Sequence, residues 1–102
     1  MKVYISGAIT GTDDYMERFA AAEATLKLVG HVVINPAKVL AQMPEDTTHE
    51  EYMKMSFVML DMCEAIAMIP GWEKSHGASM EYGYALAKDK VIMLAVEGRW
   101  VE

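Results

Sequence analysis

A single carboxylate lies among small residues at positions 75–85, which read SHGASMEYGYA. This stretch follows an apolar run that breaks at residues 70–72, so Glu81 is expected in the opening turns of a helix just beyond a buried strand. In open α/β sheets, ligands bind at that end of the strands. A carboxylate placed there can attack an anomeric carbon and split a glycosyl transfer into two displacements. The plain alternative is a solvated helix glutamate.

Several side chains near Glu81 in the predicted fold also suit a ligand site. Ser75 is a helix cap, and its hydroxyl can also donate to an anion held at the helix N-terminus. Gly77 lies one turn before Glu81 on the same helix face and leaves the backbone open to a ligand. Tyr4, near the end of the first strand, either hydrogen-bonds the glutamate or is an ordinary core tyrosine. Trp72 either stacks on a base or covers the end of the sheet.

Glycosyl transfer through Glu81 also needs a second acidic group that helps the leaving base or positions the sugar. The acidic candidates are Asp61 and Glu64, which are nearest in sequence, and Asp13 and Asp14 from the first loop. We expect Asp61 on the exposed side of its helix. The histidines at positions 31, 49 and 76 have no metal-ligand spacing, so we predict neither a metal nor a cofactor, and His76 is expected to be exposed or ligand-adjacent.

The turn after the first strand, residues 6–12, reads SGAITGT. Gly7 and Gly11 allow positive φ and close ligand approach, and backbone amides there could cradle a sugar or phosphate. A tight strand-to-helix turn with no ligand is an equal alternative. The spacing is not G-x-G-x-x-G and no acidic residue ends the second strand, so dinucleotide binding is disfavoured.

Strand and helix candidates alternate along the chain. Strands are predicted over residues 3–5, 31–34, 65–69 and 91–96, and helices over about 13–29, 49–62 and 75–88, with a short helical turn from Asn35-Pro36. The second long helix opens with a capping box made by Thr48 and Glu51. Residues 42–49 are predicted to form a loop or lid, and residues 98–102 a tail that pairs as an edge or meets a partner.

This alternation predicts an α/β fold with right-handed βαβ units and a parallel sheet. We expect a three-layer, flavodoxin/Rossmann-like sheet of four to five strands in the order 2-1-3-4, with helices on both faces, as one domain over residues 1–102. In that order, strands one and three flank the switch point, and residues 6–12 and 70–77 face each other across a crevice.

Composition narrows the partners. The net charge of −6 and the scattered basic residues argue against nucleic-acid binding, whereas a small anionic ligand stays possible. Cys63 is the only cysteine and is expected to be buried, which excludes an intrachain disulfide. No apolar run is long enough to cross a bilayer, so we expect a cytoplasmic protein without membrane contact. The Met-rich helix over residues 49–62 fills a core, and a chain this small is expected to form a homodimer or higher homo-oligomer.

With these residues in hand, the chain resembles the nucleoside 2-deoxyribosyltransferase superfamily, near its 2′-deoxynucleoside 5′-phosphate N-hydrolases and small phage and bacterial members. The likeness covers nearly the whole chain, through residues 4–11 (YISGAITG), 35–36 (NP), 63–66 (CEAI) and 70–81 (PGWEKSHGASME).

The resemblance implies roles for individual residues. Glu81 would be the nucleophile at C1′ of the deoxyribose, Tyr4 would orient it, and Glu64 would be an auxiliary acid where the family usually has aspartate. The matching serine in relatives that hydrolyse nucleoside 5′-monophosphates contacts phosphate, so Ser75 implies a nucleotide substrate. Relatives complete the site with a residue from the neighbouring subunit's C-terminal region, for which this chain has no obvious equivalent. The implied substrate-binding residues are Ser6, Gly7, Ala8, Ile9, Gly11, Trp72, Ser75 and Gly77.

Three hypotheses follow for function. The first is an N-glycosidase that cleaves the base–sugar bond of a deoxynucleoside 5′-monophosphate through a glycosyl–Glu81 intermediate, with water or a second base as the acceptor. The second is a protein that binds or sequesters a nucleotide or related signal without turnover. The third is a structural protein that has kept only the scaffold.

Overall fold

Five strands and four helices alternate along the chain in the computed structural model, which describes all residues from Met1 to Glu102. In chain order they are β1 (Lys2–Ser6), α1 (Tyr15–Leu28), β2 (Val32–Ile34), α2 (Pro36–Leu40), α3 (His49–Asp61), β3 (Ala65–Met68), α4 (His76–Ala87), β4 (Val91–Val96) and β5 (Arg99–Val101). A single 3₁₀ turn, Trp72–Lys74, lies between β3 and α4.

The strands form one sheet in the order β2-β1-β3-β4-β5. β1 pairs in parallel with both β2 and β3, and β3 pairs in parallel with β4. These pairings confirm the predicted order 2-1-3-4. The tail pairs as an antiparallel edge strand on β4, with a turn at Glu97 and Gly98, both of which have positive φ.

Two apolar clusters, one on each face of the sheet, make the molecule a three-layer structure. Val3 and Ile5 of β1 pack with Phe19 and Leu26 of α1 on one face. Tyr4 of the same strand packs with residues of α3 and α4 on the other face. The alternation follows from the two-residue period of a strand, and it directs Tyr4 and Ser6 to the same side as α4.

Most helix starts follow the capping signals in the sequence. Thr48 and Glu51 form the predicted capping box, and the Ser75 hydroxyl accepts a hydrogen bond from the Ala78 amide. The start of α1 is the exception. Its N-cap position is Asp14, which makes no side-chain capping bond. The remaining predicted boundaries differ from the observed ones by one or two residues, as expected for frayed ends.

The methionines of α3 are divided between the core and the surface. Met53 and Met59 are buried, but Met62 is 53% exposed, so the prediction that it fills the core is wrong. Met62 is the residue that follows the last turn of α3, where the chain turns towards β3. Cys63 is buried, as predicted.

A carboxylate on α1 fixes the position of α2. Glu23 accepts hydrogen bonds from Lys27 Nζ (2.6 Å), Lys38 Nζ (3.0 Å) and Asn35 Nδ2 (3.0 Å). Asn35 also caps α2 by accepting from the Ala37 amide at 3.1 Å. The hydrogen bonds from Lys27 and Asn35, followed by that from Lys38, lower the pKa of Glu23 to about 2.

We predict that Glu23→Gln destabilises the fold at neutral pH. Because the pKa of Glu23 is lowered in the folded state, its contribution is present above the ordinary glutamate pKa and is lost as pH falls towards about 2. The two lysines are more than half exposed, so we expect a loss of only about 1–2 kcal/mol. Urea unfolding at pH 7 and pH 3 measures it, with Glu17→Gln on the same helix as the control. An equal loss at both pH values would contradict the ionic account.

Candidate active site

A cavity of about 210 Å³ lies at the carboxyl ends of β1 and β3, where the two predicted loops meet. Gly7, Ile9 and Thr10 of the first loop line it, as do Ser75 and Gly77 at the start of α4. The two loops approach because the pairing of β1 with β3 continues beyond the strands, where the Ile69 amide donates to the Ser6 carbonyl at 2.8 Å.

Glu81 lies in the wall of the cavity and is only 6% exposed. The Tyr4 hydroxyl donates to its Oε2 at 2.5 Å, and the Ser6 hydroxyl donates to its Oε1 at 2.6 Å. Each carboxylate oxygen is therefore held by one hydroxyl from β1. Two hydrogen bonds to two different atoms fix the carboxylate plane, which is what a nucleophile aimed at one carbon atom requires.

Burial is the largest influence on the pKa values of Glu81 and Tyr4. It raises the pKa of Glu81, and the hydrogen bonds from Ser6 and Tyr4, together with the neighbouring Ser56 hydroxyl, lower it only in part. Burial also raises the pKa of Tyr4 well above its ordinary value, and the negative charge of Glu81 adds to that rise. Tyr4 therefore stays a neutral hydrogen-bond donor. No lysine, arginine or histidine forms a salt bridge with Glu81, and both of its hydrogen-bond donors are neutral hydroxyls.

Two glycines keep the walls of the cavity close together. A Cβ on Gly7 would lie 3.0 Å from Ile69 Cβ, and one on Gly77 would lie 3.3 Å from Met53 Sδ. A side chain at position 7 would press on Ile69 where it joins the backbone, and one at position 77 would require the flexible Met53 side chain to shift by a few tenths of an ångström. Neither glycine has positive φ, so it is the missing side chain and not the backbone conformation that allows this close approach.

Arg18 of α1 holds the first loop in place. Its Nη2 donates to the Ala8 carbonyl at 2.9 Å and to Thr12 Oγ1 at 3.1 Å, while its Nε contacts Asp14 Oδ1 at 3.1 Å. Ala8 and Gly11 belong to this loop, but neither is among the residues that line the cavity. Gly11 instead supplies a left-handed turn, with φ of +81°.

The structure brings most of the predicted site residues together. Those that line the cavity or bond its carboxylate are Tyr4, Ser6, Gly7, Ile9, Ser75, Gly77 and Glu81. Ser6 was expected to bind the ligand through the turn, but it lies at the end of β1 and holds Glu81.

The structure places Glu64, the predicted auxiliary acid, away from the cavity. Glu64 immediately precedes β3, at the amino end of the strands, and its Oε1 accepts from the Lys2 amide at 3.2 Å. The cavity is at the opposite end of the sheet. The other acidic candidates are also absent from its lining. Asp61 accepts a hydrogen bond from the Tyr84 hydroxyl, and Asp14 pairs with Arg18.

Trp72 does not line the cavity either. Its ring stacks on Tyr82 of α4, with 4.5 Å between ring centroids, and packs against the core beneath α3 and α4. A base cannot stack on it within the cavity. The alternative reading, that Trp72 covers the end of the sheet, agrees with this packing.

One face of α3 was missing from the predicted site. His49, Tyr52, Met53 and Ser56 line the cavity at the spacing of a helical stripe. The predicted start of α3 beside the loop could have suggested this face, but its rotation depends on packing against α4. Tyr15 and Phe19 of α1 and Pro36 and Leu40 of α2 make the opposite, largely apolar wall.

No group of three or more His, Cys, Asp or Glu side chains is arranged to hold a metal ion. No helix has the length and apolar character needed to cross a membrane.

Comparison with known proteins supports the fold. A family model described as Domain of unknown function (DUF4406) matches residues 1–94. The chain is also similar to the solved structure of a 2-deoxyribosyltransferase from the psychrotolerant bacterium Bacillus psychrosaccharolyticus. The TM-score is 0.74 at 19% identity, over 92% of this chain and 71% of that one, a likeness that shows the fold. No curated protein matches the sequence significantly.

We predict that Glu81→Gln stabilises the protein at neutral pH. Because the pKa of Glu81 is raised in the folded state, the wild-type protein loses stability as pH rises through that pKa, and an uncharged amide avoids the loss. The Tyr4 and Ser6 hydroxyls can rotate to accept as well as donate. We expect a gain on the order of 1 kcal/mol, or about 4–8 °C in Tm.

Thermal unfolding at pH 7 and pH 4 measures this gain, which should shrink at the lower pH as Glu81 becomes protonated. A Glu81→Gln variant that is less stable than the wild type at pH 7 would show that the carboxylate, despite its burial, stabilises the fold.

Proposed function

The chain belongs to the family described as Domain of unknown function (DUF4406), and we propose that it is an N-glycosidase acting on a deoxynucleoside 5′-monophosphate. The observation that carries this proposal is the buried Glu81 carboxylate, held by Tyr4 and Ser6 in the wall of a cavity. The fold shared with a 2-deoxyribosyltransferase supports sugar transfer as the reaction class.

In the proposed mechanism, one Glu81 oxygen attacks C1′ of the sugar. The C1′–N bond breaks, its electron pair goes to the base, and the base takes a proton from water at the mouth of the cavity. The hydroxide left behind, or a second water that it deprotonates, then attacks C1′ and releases Glu81 as a carboxylate. The hydrogen bonds from Tyr4 and Ser6 favour the ionised form of the carboxylate and orient it in the first step, and they receive it again in the second.

A nucleotide substrate is supported by the start of α4. The Ser75 hydroxyl accepts from the Ala78 amide, which leaves its own proton free to donate to a ligand. Ser75 and Glu81 are six residues apart, about 9 Å along a helix axis. Since helix side chains lean towards the N-terminus, Glu81 reaches back towards Ser75. A sugar over Glu81 can therefore carry its 5′-phosphate to Ser75.

The second candidate is nucleotide binding without turnover. This candidate is favoured because the cavity lining contains no second carboxylate. Glycosyl transfer through one carboxylate needs another group to assist the leaving base. Binding that survives Glu81→Gln, with no base released by the wild-type protein, would establish this candidate.

We predict that the unsubstituted protein releases free base from at least one deoxynucleoside 5′-monophosphate, and that Glu81→Ala abolishes the release. Tyr4→Phe should lower kcat/KM about 10- to 100-fold, because it removes a hydrogen bond to a charged group. Chromatography of reactions with the four common deoxynucleotides measures both effects. Mass spectrometry of the intact protein should show the added sugar phosphate.

Glu64→Gln is the matched control, since this glutamate lies at the other end of the sheet, and it should leave turnover unchanged. Turnover that persists in Glu81→Ala, or that fails in Glu64→Gln, would contradict the proposed mechanism.

We also predict that Ser75→Ala discriminates between substrates. Losing a donor to phosphate should raise KM for the deoxynucleotide about 10-fold, while kinetics on the matching deoxynucleoside stay unchanged. Ser79→Ala in the same helix is the control, because Ser79 does not line the cavity. An equal loss on both substrates would mean that Ser75 acts only as a helix cap.

A further inference from the structure

His49 is the only side chain lining the cavity that can carry a positive charge, since neither lysine nor arginine is among the lining residues. It is the first residue of α3. Its Cε1 lies 3.7 Å from the point where a side chain on Gly77 would begin. The imidazole therefore lies within van der Waals distance of the first turn of α4, beside Met53.

The surroundings of His49 are rich in hydrogen-bond donors. The backbone amides of His76 and Gly77 have no carbonyl partner within α4, because they belong to its first turn. The Ser75 hydroxyl has a free proton beside them. Two helices, α3 and α4, thus begin at the same part of the cavity. The dipole of α4, which has no acidic residue in its first turn, favours a negative charge there, whereas the N-terminus of α3 already has Glu50 and Glu51 in its first turn.

Nearby carboxylates are directed elsewhere. Glu50 lies 3.8 Å from Lys54 Nζ, and Glu51 accepts from the Thr48 amide. Glu81, the only carboxylate that lines the cavity, is one helical turn beyond Gly77 and is held by Tyr4 and Ser6. The cavity lining therefore has its one carboxylate at the proposed sugar end and its one histidine beside the first turn of α4.

We propose that His49 is a specificity-determining residue that binds the 5′-phosphate of the substrate and makes the site select nucleotides over nucleosides. The inference rests on the proposed function for the position of the sugar over Glu81. It adds a ligand from α3 to the hydroxyl and amides from α4, so that the phosphate is held between two helices.

The experiment measures binding separately from turnover. In a Glu81→Gln background, calorimetry gives Kd for a deoxynucleoside 5′-monophosphate and for the matching deoxynucleoside. We expect His49→Ala to raise Kd for the nucleotide about 10- to 100-fold, as for loss of a charged hydrogen bond, and to leave nucleoside binding unchanged. His49→Gln, which retains an N–H donor, should recover part of the affinity.

His31→Ala is the matched control, because His31 contacts the N-terminal amine away from the cavity, and it should change neither Kd. An unchanged nucleotide Kd in His49→Ala would overturn the inference, as would an equal loss for nucleotide and nucleoside. Absence of base release by the unsubstituted protein would overturn the glycosidase while leaving the measured phosphate selectivity intact. The two failures are therefore distinct.

Discussion

The buried contact between Glu81 and the two hydroxyls of β1 links the sheet to the helix that carries the candidate chemistry. Tyr4 and Ser6 are two residues apart on one strand, so their side chains leave the sheet on the same face and reach the two oxygens of one carboxylate. Burying a charge without a cation is costly, and the raised pKa of Glu81 shows that the hydroxyls offset the cost only in part. A movement of α4 relative to β1 would break both hydrogen bonds to Glu81.

The strand order explains why a single cavity forms. β1 and β3 are neighbours although α1, β2, α2 and α3 lie between them in the chain, so the loops that follow them meet. The approach is tight at Gly7 against Ile69 and at Gly77 against Met53. Both glycines lie where the chain approaches a neighbour closely, Gly7 between two loops and Gly77 between two helices, and the approach is closer at Gly7.

The sequence was sufficient for the parts of the site that depend on strand and helix order. Glu81, Tyr4, Gly7 and Ser75 could be placed because each lies next to the carboxyl end of a strand. Glu64 was considered because it is near Glu81 in the sequence, but nearness in sequence does not say at which end of a strand a residue lies. It precedes β3, and a four-residue strand separates its two ends by roughly 13 Å.

Other residues depend on packing that a single sequence does not specify. Trp72 stacks on Tyr82, a contact set by how the 3₁₀ turn folds onto α4. His49 faces the cavity because α3 is rotated by its packing against α4, with Met53 and Met59 buried and Met62 outside.

The two buried glutamates of the fold differ in their hydrogen-bond partners. Glu23 is held by two lysines and has a lowered pKa, the arrangement expected of a carboxylate that stabilises a fold. Glu81 has neutral donors only and a raised pKa, so burial opposes its charged form, and a carboxylate shifted in this way beside a cavity is typical of a functional site.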